Sequence, residues 1–152
     1  MMDQREIKEK VNKGWLRANL VLQALGRPAE YLGQALEIVI DNLSKNKDVI
    51  ILHKKIHEPE KVPESKEVFM TFSEIEIIVK DFSKLIGIVF DYMPASVEIV
   101  EPANISFKLD DANAIINDLA ARLHQYDSLL KQMRMQVDIL AKKFKEIEGK
   151  KK

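Results

Sequence analysis

Apolar positions recur along this chain with two periods, one suited to helices and one to strands. Residues 15–25 (WLRANLVLQAL) fit both. As a helix, Ile7, Val11, Trp15, Ala18, Leu22 and Leu25 follow steps of three and four. As a strand, Ala18, Leu20, Leu22 and Ala24 point one way, and Asn19, Val21, Gln23 and Leu25 the other. Residue propensity favours the helix. The following Gly26-Arg27-Pro28 favours the strand, because a tight turn with Pro28 at the first helical position joins a strand to a helix. A strand is the expectation. Residues 1–14 are mostly polar and read as a lead-in, either a short helix or a loose arm.

Residues 29–44 predict an amphipathic helix with Leu32, Ala35, Leu36, Val39 and Leu43 in one stripe, ended by Ser44-Lys45-Asn46-Lys47. Residues 48–56 (DVIILHKKI) predict a short strand, and residues 57–67, with Pro59 and Pro63, a connecting loop. Residues 68–79 alternate cleanly. Phe69, Ile75, Ile77 and Val79 share one face, and Met70, Phe72, Glu74 and Glu76 the other. Asp81 can cap a helix carrying Phe82, Leu85, Val89 and Tyr92, which Pro94 stops. Residues 96–100 complete a βαββαβ order. The expected fold class is therefore α+β: a ferredoxin-like two-layer domain over residues 15–105, with the first and third strands central and two helices on one face.

Residues 106–152 carry a different pattern. Ile116, Leu119, Leu123, Tyr126, Leu130, Met133, Val137, Leu140, Phe144 and Ile147 follow alternating steps of three and four without a break. This is a heptad repeat, uninterrupted by Gly or Pro, and it predicts a coiled-coil helix on the order of 50 Å long. A second copy is the simplest cover for such a stripe, so these ten residues are the expected oligomerisation site of a homodimer. In a parallel pair Arg122 would face Asp127 of the other copy, and Lys143 would face Glu148. An antiparallel pair, packing on the chain's own sheet, and a different protein partner are the other covers.

Composition narrows the chemistry. The 24 basic and 24 acidic residues cancel, which argues against a globally basic nucleic-acid binder. Absence of cysteine excludes disulfides, thiolate metal sites and a thiol nucleophile. The charged N-terminus lacks the apolar core of a signal peptide, and no apolar run approaches the ~20 residues that span a bilayer, so a cytoplasmic protein without membrane contact is expected. His53 and His57 lie on a strand running into a loop, where a spacing of four does not converge on one ion. His124 falls on the outside of the heptads. No metal or cofactor is expected. Glu74, Glu76 and Glu98 could serve acid–base chemistry, although a solvated sheet face is the simpler account, and no enzyme activity is expected. Phe72 could stack on a base, but Glu74 and Glu76 beside it would repel phosphate, so nucleic acid is not the expected partner. Lys142, Lys143, Lys145, Lys150, Lys151 and Lys152 make a basic tail.

Three segments carry a resemblance. Gly26-Arg27-Pro28-Ala29-Glu30, then Phe90-Asp91-Tyr92-Met93-Pro94-Ala95-Ser96-Val97-Glu98-Ile99-Val100-Glu101-Pro102, then Ala121-Arg122-Leu123-His124 resemble a family of small uncharacterised archaeal proteins. The resemblance spans about residues 14–140 and implies a cytoplasmic archaeal setting and no catalytic residues. The expected role is protein–protein interaction or scaffolding. The alternatives are a small-ligand sensor using the Gly26-Arg27-Pro28 turn, and an RNA- or DNA-binding protein using Phe72 and the terminal lysines.

Overall fold

The structure is a computed structural model that describes residues 2–63, 65 and 67–149. It divides into two units, residues 1–105 and 106–152. In the first, α1 (Gln4–Asn12) precedes β1 (Leu16–Gly26), α2 (Glu30–Ser44), β2 (Val49–Ile56), β3 (Glu60–Lys61), β4 (Phe69–Val79), α3 (Phe82–Tyr92) and β5 (Ser96–Glu101). The second contains α4 (Leu109–Gly149). The protein is α+β with a wholly antiparallel sheet and a long C-terminal helix.

The ambiguous segment is a strand. β1 runs the full length of β4 in unbroken register, Leu16 opposite Val79 and Gly26 opposite Phe69. Helix propensity differs by only tenths of a kcal/mol among these residues. Pairing on both edges, with burial of Leu16, Ala18, Leu20 and Leu22, outweighs it. The sheet order is β2-β4-β1-β5, so the two long strands are central. β3 was not foreseen in the segment read as a loop. Glu60 and Lys61 pair with Met70 and Phe69, because β4 runs beyond the end of β2 and leaves an edge there to be satisfied. The part of that expected loop at positions 64 and 66 lies outside the described residues.

Alternation along β1 and β4 separates two sheet faces. One carries the core, where Leu20, Leu22, Ile75 and Ile77 meet Leu36, Ile40 and Leu43 of α2 and Leu85 and Ile88 of α3. The buried stripe of α2 is Leu32, Leu36, Ile40 and Leu43, so the expected stripe was rotated: Ala35 is exposed and Ile40 buried. The bulkier side chain takes the interior, which favours the i, i+4 row. Asp81 accepts a hydrogen bond from the Lys84 amide at 2.8 Å, and Met93 closes α3 with a left-handed φ of 48° just before Pro94. The lead-in is an ordered helix whose start is closed by the Asp3 amide donating to the Glu6 carboxylate at 2.9 Å. It buries Ile7, and Lys10 lies over the Trp15 ring at 4.0 Å.

Ser73 is a flaw in this core. Its hydroxyl is fully buried and finds no partner among the described residues, whereas neighbouring Thr71 donates to the His57 carbonyl at 2.5 Å. An unsatisfied buried hydroxyl costs roughly 1–3 kcal/mol. Ser73→Ala is therefore expected to raise stability by about 1 kcal/mol, read as a higher urea midpoint at unchanged slope. A lower midpoint would mean that the hydroxyl has a partner.

Candidate functional site

Two surfaces gather the residues that sequence reasoning singled out. The first is the sheet face opposite the core. Register places Glu76, Asn19 and Glu98 in one row across β4, β1 and β5, with Glu74 and Val21 in the next. With His53 and Ser96 they line an open depression of about 480 Å3. Two of its acids have basic side chains as partners. Arg17 donates through Nε to Glu76 at 2.6 Å and reaches Glu101 at 3.6 Å. His57 Nε2 lies 3.0 Å from Glu74 Oε2, and its ring stacks on Phe72 with centroids 4.1 Å apart. The hydrogen bond from His57 holds the Glu74 carboxyl below its usual range against some burial, helped by the nearby His57, Lys55 and His53 charges.

This geometry changes the reading of each candidate. Glu74 and Glu76 share a face as expected, but Glu98 is separated from them by β1. All three carboxylates border the same open depression, with Asn19 between Glu76 and Glu98. One face of Phe72 is occupied by His57, so a base stacking on that face would have to displace the imidazole. Among the described residues, no group of three or more His, Cys, Asp or Glu is placed to hold a metal. Sequence reasoning missed the roles of Arg17 and His57. Their partners are 59 and 17 positions away along the chain, and only strand pairing brings them together.

At the end of the sheet, Asp48 forms a second ionic group, with Lys80 at 3.5 Å and Lys84 at 3.4 Å. Burial pushes its carboxyl up, but the attraction and hydrogen bonds of the two lysines outweigh this and hold it below the usual range. A carboxyl depressed in the folded state stabilises above its unfolded value, about pH 4, and loses that contribution as pH falls through the lower folded value. Asp48→Asn is therefore expected to flatten the fall in urea midpoint below about pH 4. An unchanged slope would show that this group plays no part in acid unfolding.

The turn at Gly26-Arg27-Pro28 contains a cis Arg27–Pro28 bond, and Arg27 pairs with Glu67. α2 begins at Glu30, two residues past Pro28, and its N-terminus has no side-chain cap. An open depression of about 380 Å3 lies there, bordered by Ala29, Gly33 and His57.

The second surface is α4. The 41-residue helix spans roughly 60 Å at 1.5 Å per residue, and none of its described residues is buried. Eight of the ten heptad positions are exposed, from 55% at Leu140 to 67% at Phe144; Leu119 and Tyr126 are half-buried. From Asp127 to Gly149 every residue is exposed, including Leu129, Met135 and Ile139 off the main stripe. Along the outside, Arg122 pairs with Asp118 at 3.1 Å and Lys131 with Asp127 at 2.6 Å. These i, i+4 pairs stabilise the helix by only tenths of a kcal/mol. Among the described residues no helix is long and apolar enough to cross a membrane. Lys150, Lys151 and Lys152 lie outside the described residues.

The model of one protein family, the MJ0538 family, matches residues 17–152, which include both the sheet and α4. No curated protein and no solved structure matches the chain.

Proposed function

The chain belongs to the uncharacterised MJ0538 family, and from that premise we propose a non-enzymatic interaction or scaffolding protein that self-associates through α4. The observation that carries this reading is the eight exposed apolar heptad positions on a helix that buries none of its own residues. A monomer rarely leaves so long a stripe in water. Each of these side chains gains about 1 kcal/mol when the half still exposed is covered. Two copies together outweigh the ~4–15 kcal/mol cost of association. Ten heptad residues then form the seam: Ile116, Leu119, Leu123, Tyr126, Leu130, Met133, Val137, Leu140, Phe144 and Ile147.

The rest of the proposal follows the sheet. Its order, β2-β4-β1-β5, supports a ferredoxin-like arrangement with β3 as a two-residue addition at the edge of β4. In this reading the α+β unit presents the recognition surface and the setting is archaeal and cytoplasmic; the family's name, taken from an archaeal Methanocaldococcus protein, supports the archaeal origin. The test is the mass in solution across a range of concentrations, for the native chain and for Leu130→Asp. A homodimer that the substitution reduces to monomers supports the proposal. A native chain that stays monomeric at high micromolar concentration removes it.

A further inference from the structure

The self-association reading leaves open how two copies of α4 lie against each other. We infer that they pair antiparallel and in register, about a two-fold axis between Leu130 and Met133.

Side-chain size along the seam is the first reason. A parallel pair stacks each residue on itself, so Tyr126 meets a tyrosine, Phe144 a phenylalanine and Val137 a valine. The seam would be overfilled at two levels and underfilled at a third, and close-packed interiors tolerate neither well. Reversing one helix about that axis sets Tyr126 against the partner's Val137 and Phe144 against the partner's Leu119. Leu130 then meets the partner's Met133, Leu123 the partner's Leu140, and Ile116 the partner's Ile147. The two largest side chains each meet a smaller one, and the remaining levels are matched aliphatic pairs.

Charge is the second reason, and it is independent of the first. Residues 111–124, which this register sets opposite residues 139–152 of the partner, carry Asp111 and Asp118 against Arg122, a net charge of −1. Residues 139–152 carry six lysines against Glu146 and Glu148, a net charge of +4. A parallel pair places two basic ends side by side. The antiparallel pair lays each basic end beside an acidic one, and it also opposes the two helix dipoles.

Local flanking pairs weigh the other way. The parallel pair would gain Arg122 with Asp127 and Lys143 with Glu148. The antiparallel pair keeps Asp127 with Arg134 but brings Arg122 near Lys143. Those are exposed pairs of small value, and Arg122 already has Asp118 at 3.1 Å on its own helix. Packing and end charge outweigh them. The first turns of the two α4 helices, from which the α+β units are tethered, then stand at opposite ends of the paired segment.

The chain has no cysteine, so engineered ones report orientation cleanly. Leu123→Cys and Leu140→Cys change exposed positions on α4 that take no part in the core of the α+β unit. Oxidised separately, neither variant is expected to give a disulfide-linked dimer, because each thiol would stand roughly 25 Å from its own counterpart at 1.5 Å per residue. Mixed in equal amounts, they are expected to cross-link, with peptide mapping joining position 123 to position 140. Cross-linking of each variant alone would establish a parallel pair and overturn the inference. A dimeric mass without the mixed cross-link would overturn the register. A monomeric native chain would instead be the failure of the self-association reading on which the inference rests.

Discussion

Leu20→Ala is expected to cost about 2–5 kcal/mol of folding stability, enough to unfold much of a marginal domain at room temperature. Leu20 is only 1% exposed and sits midway along β1, the strand flanked on both sides. Its neighbours across the sheet are Ile75 and Val97, and its side chain belongs to the cluster formed with α2 and α3. Truncation would remove buried methyl groups and leave a cavity. β1 cannot move to fill it, because its backbone is hydrogen-bonded along both edges. Leu25→Ala is the internal control: the same change at a 65%-exposed position near the end of the same strand is expected to stay within about 0.5 kcal/mol. Urea unfolding of the two variants makes the comparison. Equal losses would mean that the assigned sheet faces are wrong.

Leu130→Asp is expected to separate the proposed dimer while leaving the α+β unit folded. Leu130 is 57% exposed in the single chain, so the chain's own core gives no reason for the substitution to unfold it. In the paired state the same position would be covered. A carboxylate there lacks a counter-charge, and an uncompensated buried charge costs about 3 kcal/mol or more. Two copies carry it, so the dissociation constant should rise roughly 10⁴-fold. The readouts are sedimentation for mass and tryptophan fluorescence for Trp15, which lies in the α+β unit beside Lys10. Loss of the tryptophan signal together with loss of the dimer would mean that folding and assembly are not separable. Unchanged mass would remove the seam.

Much of the fold was legible because hydrophobic period follows secondary-structure geometry directly. Alternation between residues 69 and 79 marks a strand with one buried face, and Ile75, Ile77 and Val79 are buried while Phe72 and Glu74 are exposed. Asp81 and Pro94 bracket α3 for local reasons, a side chain that satisfies a free amide and a ring that cannot continue the helix. The stripe on α2 was less legible, since its apolar residues at 35, 36, 38, 39 and 40 fit several overlapping rows. The tightest packing selected Ile40 and left Ile38 62% exposed.

By itself the sequence determined β2, β4 and β5, the helices α2, α3 and α4, the alternation that gives β4 two unlike faces, and the unbroken heptads of α4. All of these depend on residues within a few positions of one another. Only the tertiary structure decided that residues 16–26 are a strand rather than a helix, since that rests on partners supplied by β4 and β5. Only it joined Arg17 to Glu76, stacked His57 on Phe72 and left the Ser73 hydroxyl without a partner. Those outcomes depend on pairing register and on what remains near a buried atom once the chain has closed. Neither is encoded in the local spacing of residues.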